Sequence, residues 1–224
     1  MSNILSGNLP TTYTIRPLEH SDIDAIAKME MAVWHDYYRQ YPFYDLVCDS
    51  VTPENIAQSW ASFLDSQRPY SGGMVTGDDR CAFAAWQDAA PIGVAAASAY
   101  RPDTWPEVDQ LLTDRFGALP KLAKFQNLYV APAARGQRIG THLALVRART
   151  MLERGYTGLF LTTFADAHRT NAYHQKQGLE RVHTYLSLQR YKGGARVPIA
   201  CFLHTDLHAL HDRWQKRLTS QADA

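Results

Sequence analysis

The spacing of apolar positions changes several times along the chain, and each change marks an element. Thr12 to Pro17 alternates apolar and polar, the period of a short half-buried strand. From Glu19 to Trp34 the spacing lengthens. Ile23, Ile26, Ala27, Met29 and Val33 recur at near-helical intervals behind Ser21, a candidate N-cap. Aromatic residues crowd His35 to Tyr44. A second helix is expected over Pro53 to Leu64, capped by Thr52 and with Pro53 in its first turn. After a turn region at Gly72 to Asp79, Cys81 to Trp86 and Ile92 to Tyr100 read as strands joined by a turn at Asp88 to Pro91. Arg101 to Pro120 lacks a clear period, with a short helix expected over Val108 to Arg115.

Phe125 to Val130 is the next expected strand. Arg135 to Arg154 comes after it as a helix stopped by Gly155, its inward face expected to carry Ile139, Leu143, Val146 and Thr150. A strand over Leu159 to Phe164, a helix over Arg169 to Gln177 ended by Gly178, strands over Leu179 to Gln189 and Val197 to His204, and a helix over Thr205 to Leu218 complete the pattern. The order β-α-α-β-β-β-α-β-α-β-β predicts an α/β fold with a mixed central sheet and helices on both faces. No linker composition divides the chain, so residues 1–224 are expected to form a single domain.

Composition narrows the functions such a domain can serve. Hydrophobic residues make up 46% and charged residues 20%, which suits a packed globule rather than a disordered chain. Against 23 basic residues stand 22 acidic ones, a net charge of +1. A nucleic-acid binder usually shows a basic excess, so no nucleic-acid partner is expected. No apolar run approaches the roughly 20 residues of a membrane span, so no membrane association is expected. Cys48, Cys81 and Cys201 are odd in number and far apart, and Met1 to Pro10 lacks the pattern of a secretory leader. A cytoplasmic location is therefore the expectation.

The chemistry concentrates in one segment. The apolar strand ending at Val130 passes through a proline-containing turn into Arg135-Gly136-Gln137-Arg138-Ile139-Gly140-Thr141, at the head of an amphipathic helix. A helix start presents amide hydrogens without internal partners and the positive end of the helix dipole, which suits a pyrophosphate. Gly136 and Gly140 would let phosphates approach the backbone, and Arg135 and Arg138 would add positive charge beside them. A glycine-containing basic helix start that binds nothing is the alternative. The segment lacks the Gly-Lys-Ser/Thr ending of a nucleoside-triphosphate loop. It also carries Arg138 where a dinucleotide fingerprint would need glycine.

Residues 125–179 resemble the acyl-CoA-binding core of the GNAT acetyltransferases. The family strand of the type Leu-Tyr-Val is matched by Leu128-Tyr129-Val130, and its Arg/Gln-x-x-Gly-x-Gly/Ala turn by Arg135 to Gly140. The strand Leu159 to Phe164 and the helix end His174-Gln-Lys-Gln-Gly178-Leu179 match the family's next strand and its Tyr-x-x-x-Gly-Phe helix end. Arg138 replaces a family glycine, Ala167 stands where an asparagine is common, and His174 stands where a tyrosine is common. The resemblance implies a GNAT-like domain of about seven strands with an enlarged N-terminal helical segment. It implies acetyl-CoA as cosubstrate, bound along Leu128, Tyr129, Val130, Arg135, Gly136, Gln137, Arg138, Ile139, Gly140 and Thr141. It also implies direct transfer of the acetyl group to a primary amine; a small-molecule acceptor is preferred to a protein because the N-terminal insertion and loops could enclose a pocket. A backbone N–H near Tyr129 or Val130 would stabilise the developing oxyanion.

The acid that protonates the leaving thiolate is then His174, at the family position, or its neighbour Tyr173. The strand offers no carboxylate base, having Gln126 and Asn127 where some relatives carry one. Asp103, Glu107 and Asp109 are the nearby candidates, with ordinary solvated loop charges as the plainer reading. Trp34, His35, Tyr37, Tyr38, Tyr41, Phe43 and Tyr44, interleaved with Asp36, Asp45 and Asp49, suit either a cationic amine or plain packing, and packing is the commoner use. His204, His208 and His211 have helical spacing that could hold zinc, but no pattern of a carboxylate base or second shell accompanies them, and no metal is expected. A CoA-binding sensor without catalysis is the alternative function. A homodimer through the last strands or the aromatic insertion is compatible with the sequence.

Overall fold

A computed structural model describes residues 13–65, 79–102 and 105–220. Its seven strands are β1 (Tyr13–Pro17), β2 (Arg80–Gln87), β3 (Ala90–Ala99), β4 (Leu122–Val130), β5 (Gly158–Phe164), β6 (Glu180–Leu186) and β7 (Pro198–His204). They form one sheet in the order β1-β2-β3-β4-β5-β7-β6. Every neighbouring pair is antiparallel except β4 and β5, the parallel strands of the central β-α-β unit. The helices are α1 (Ile23–Tyr37), α2 (Tyr44–Val47), α3 (Pro53–Leu64), α4 (Pro106–Phe116), α5 (Ile139–Glu153), α6 (His168–Lys176) and α7 (Leu207–Thr219).

The expected mixed α/β domain with an enlarged N-terminal helical segment is the fold observed. Strand alternation sets the two layers. Val94 and Ala96 of β3 face α1 and α3, packing with Ile26, Trp60 and Phe63. Ala95 packs with Ile139 and Leu143 on the opposite face. Ala97, on that same face, joins Leu145, Met151, Leu210 and Trp214 of α5 and α7. Gly93 shows how close the approach is: a Cβ there would sit 3.0 Å from Ile139 and Leu143. The small residues of β3 thus let helices approach both faces.

Several boundaries differ from the sequence pattern for identifiable reasons. Thr52 caps α3 as expected, its hydroxyl accepting the Asn55 amide at 3.2 Å. Ser21 does not cap α1. A 3₁₀ turn at His20–Asp22 precedes the helix, and Asp22 accepts the Glu19 amide at 3.0 Å while Arg16 grips both its oxygens at 2.7 Å. That guanidinium holds the Asp22 carboxyl below its usual range. α4 is longer than expected because Pro106 opens its first turn and Gly117, at φ 73°, stops it. α5 begins at Ile139, not Arg135, because Gly136 (φ 82°) and Arg138 (φ 61°) are left-handed. Val146 and Thr150 are only half-buried. Ile139 and Leu143 are buried as expected; because α5 is covered by α7 as well as the sheet, Ala144, Leu145, Arg147, Ala148 and Met151 are buried too. His204 ends β7 rather than joining the last helix, and its Nδ1 accepts the Asp206 amide at 3.2 Å. The turn expected at Gly72 to Asp79 lies, but for Asp79, outside the described residues.

Candidate active site

The site begins with a fault in β4. Gln126 lies opposite Ala96 and Tyr129 opposite Val94, so Asn127 and Leu128 together face Ala95. This is a β-bulge, and Asn127 takes φ 53°, which asparagine tolerates better than most residues. The extra residue bends β4 away from β5. The two strands pair only from Leu122↔Gly158 to Phe125↔Leu161, although both continue further. A cleft of about 870 Å³ opens where they part.

A buried arginine supports the bulge. Arg147 of α5 donates to the carbonyls of Ala96 on β3 at 3.0 Å and Gln126 on β4 at 3.1 Å, the facing pair that borders the fault. Its guanidinium lies 4.2 Å from the centroid of the Phe125 ring. Burial lowers its pKa to about 10, so it stays charged at neutral pH.

At one end of the cleft, the turn before α5 leaves a run of amides free. Thr141 and His142 both donate back to the Arg138 carbonyl, at 2.9 and 3.0 Å. The five amides from Gly136 to Gly140 make no backbone hydrogen bond among the described residues. Leu128, Val130, Gly136, Arg138, Ile139, Gly140 and Thr141 line the cleft beside them. Gln137 does not: the left-handed Gly136 turns it out to solvent. Ile139 is buried, so only its amide is offered. The expected pair of mobile guanidiniums is also altered. Arg135 is ion-paired with Asp36 of α1 and lies 5.7 Å over Tyr37, while Arg138 reaches the Arg217 carbonyl at 3.2 Å. Arg135 and Tyr129 line the cleft too, Tyr129 with its ring on the α1 side of the sheet.

Tyr173 and His174 of α6 both line the cleft, despite their different directions on the helix. His174 does not titrate near neutrality. Burial, reinforced by Arg147, pulls its pKa down to about 4, so it is a neutral imidazole packed 5.4 Å from the Phe202 ring. The Tyr173 phenol is raised by burial, with Arg147 and Arg217 opposing the shift.

The carboxylates expected as bases lie elsewhere. Asp109 accepts the Tyr100 hydroxyl at 2.7 Å, Glu107 is exposed on α4, neither lines the cleft, and Asp103 is outside the described residues. In the aromatic segment Asp36 is taken by Arg135 and Asp49 pairs with Lys192 at 3.6 Å. Trp34, Tyr41 and Phe43 are core residues, and Trp34, Tyr37 and Tyr38 also reach the cleft wall.

The carboxylate that does reach a cavity among aromatics is Glu30. It is 6% exposed and accepts Trp60 Nε1 at 2.9 Å and Trp34 Nε1 at 3.4 Å, with a further hydrogen bond from the Tyr129 side chain. Burial raises its pKa to about 7 against those three donors. Glu30 was detectable in sequence: it falls on the apolar stripe Ile23, Ile26, Ala27, Val33, Trp34. Lys124 was missed as well. It lines the cleft 4.7 Å over the Trp105 ring, with its pKa lowered by burial to about 8. Among the described residues no three His, Cys, Asp or Glu side chains converge on a metal-sized site, and no helix is long and apolar enough to cross a membrane.

Comparison with known proteins agrees with this architecture. The model of the acetyltransferase (GNAT) family matches residues 31–179. No curated protein matches the chain. Among solved structures, an N-acetyltransferase from Staphylococcus aureus Mu50 superposes with a TM-score of 0.56 at 18% identity, covering 87% of this chain and 98% of that one. A ribosomal-protein-alanine N-acetyltransferase from Brucella melitensis gives 0.55 at 19% identity, covering 86% and 99%. The PaiA N-acetyltransferase from Thermoplasma acidophilum, in complex with coenzyme A, gives 0.52 at 15% identity, covering 84% and 97%. At these identities the likeness is one of fold.

Proposed function

From the premise that this chain belongs to the GNAT acetyltransferase family, we propose that it transfers the acetyl group of acetyl-CoA to a primary amine of a small-molecule acceptor. The observation that carries this reading is the run of free amides from Gly136 to Gly140 at the head of α5, opening into the cleft between β4 and β5. Unpaired amide hydrogens and a helix dipole pointing one way suit a diphosphate. Arg138 adds a cation at the cleft wall. The divided strands leave the edge of β4 beyond Phe125 unpaired with β5, so an extended pantetheine arm has backbone groups to pair with.

Acetyl-CoA supplies an activated acyl carbon, and the chain's own residues do the rest. Amides beside the Asn127 bulge orient the carbonyl. Tyr173 is the acid for the departing sulfur, because His174 is neutral at working pH and has no readily released proton. The charge of Arg147 keeps the Tyr173 phenol from rising as far as burial alone would push it. Titration calorimetry with acetyl-CoA, then thiol release over a panel of amines, tests the reading. We expect micromolar binding and acceptor-dependent thiol release. No heat of binding would refute the cradle. Binding without thiol release for any amine would favour the sensor alternative.

A further inference from the structure

Beside the cleft lies a second, open cavity of about 560 Å³, bounded by α1, α3, residues 47–51 and the chain around Gln189 and Tyr191. The two share Trp34, Asn127, Phe164, Gln189 and Tyr191, so they are neighbours along the bulge. The second cavity has a mixed wall: Trp34, Trp60, Ile56, Phe164 and Tyr191 on one hand, and neutral polar side chains such as Ser59, Asn55 and Gln189 on the other. Among the described residues lining it, Glu30 alone is charged, and no cation answers it. Its carboxylate is fixed by two indoles and by Tyr129, which stands on the strand expected to hold the acetyl arm. A buried carboxylate without a cationic partner is costly. An ammonium brought by a ligand would complete the site.

Resting on the acetyl-transfer reading above, we propose that Glu30 is the catalytic base, and that its cavity admits a primary amine that carries no anionic group. An arriving ammonium gives one proton to the Glu30 carboxylate. The freed lone pair forms the nitrogen–carbon bond, the carbon–sulfur bond breaks with its electrons on sulfur, and sulfur takes a proton from Tyr173. The second proton leaving nitrogen replaces the one Tyr173 gave, and Glu30 later releases its proton to solvent. The net reaction yields an amide, a free thiol and one proton. A carboxyl group with a pKa of about 7 is well matched to this task. Among the described residues the other titratable groups facing it are phenols: Tyr38 and Tyr129 beside it, and Tyr191 across the cavity. Those of Tyr38 and Tyr191 are raised by burial.

The test compares wild type and Glu30→Gln by thiol release from pH 5.5 to 9.5, with phenethylamine, hexylamine and phenylalanine as acceptors. We expect phenethylamine or hexylamine to be turned over at least about tenfold more efficiently than phenylalanine, whose carboxylate finds no cation in the cavity. Glu30→Gln should lower kcat/KM for the amine about 10²- to 10³-fold, leave the acetyl-CoA KM within about twofold, and abolish the acidic limb near neutrality. The deficit should narrow at high pH, where part of the amine is already neutral, which a merely structural role would not produce. A retained acidic limb, a variant within threefold of wild type, a preference for phenylalanine, or a wild type that binds acetyl-CoA yet turns over none of these amines would overturn the inference. Failure to bind acetyl-CoA at all would instead remove the reading beneath it.

Discussion

Glu30 has a consequence for stability that needs no acceptor to measure. Its pKa rises from the ordinary 4.5 to about 7 on folding. A carboxyl group raised in the folded state keeps its proton more tightly there, so its contribution is fully present below about pH 4.5. That contribution is lost as pH climbs through about 7. At about 1.4 kcal/mol per pH step, the loss amounts to about 3 kcal/mol. Glu30→Gln removes the titration while keeping the size of the side chain. The amide can face one indole N–H with its oxygen but presents its NH₂ to another donor, a pH-independent cost of about 1–2 kcal/mol. The difference between the two proteins therefore slides with pH. Near pH 4.5 the variant should be less stable by that offset, and near pH 8 it should be level or more stable. Urea unfolding of both proteins at several pH values measures this, since other titrating groups cancel in the difference. Parallel stability curves from pH 4.5 to 8 would refute the argument and show that Glu30 keeps an ordinary carboxylate pKa.

The same geometry gives three further outcomes. Tyr173→Phe should lower kcat at least about tenfold with the acetyl-CoA KM unchanged, while His174→Gln stays within about threefold; thiol-release kinetics that reverse this order would reassign the acid. Arg138→Gly should relieve a left-handed backbone worth about 1 kcal/mol but weaken acetyl-CoA binding roughly tenfold through loss of a charged donor. Calorimetry and thermal melts read both effects, and unchanged affinity would place the guanidinium outside the cradle. Trp60→Phe deletes the 2.9 Å hydrogen bond to Glu30. Because that bond stabilises the carboxylate, its loss should move the acidic limb of the kcat/KM profile to higher pH, and a shift to lower pH would contradict the assignment.

The parts of this fold that can be read from sequence are those whose cause is local. Thr52 and Pro53 announce a helix start because the cap bonds three residues on. Gly155 and Gly178 announce stops because φ of 77° and 91° suits glycine. The glycine-marked turn before α5 is legible for the same reason, although the partners of its arginines are not: Arg135 is claimed by Asp36, 99 residues earlier in the chain. Elements whose cause is distant escaped. Nothing near Asn127 says that it will be the extra residue of a bulge, because the fault is defined by its register against β3. Arg147 reads as one more charge on an amphipathic helix until its acceptors on two different strands are seen.

Glu30 lies between these cases. Its position on the apolar stripe of α1 marks it as a buried carboxylate from the sequence alone, and a buried carboxylate must either find donors or give up its charge. Which of those occurs depends on Trp60, 30 residues away, and on Tyr129, on another strand. The donors found are three neutral ones and no cation, which leaves the group titrating near neutrality beside a cavity instead of locked in an ion pair. A lysine or arginine in place of Trp60 would have given the same local pattern on α1 and a purely structural salt bridge. What distinguishes a base from a strut here is the charge of its partners, and that is information carried by the packing of α1 against α3 and β4, not by α1 itself.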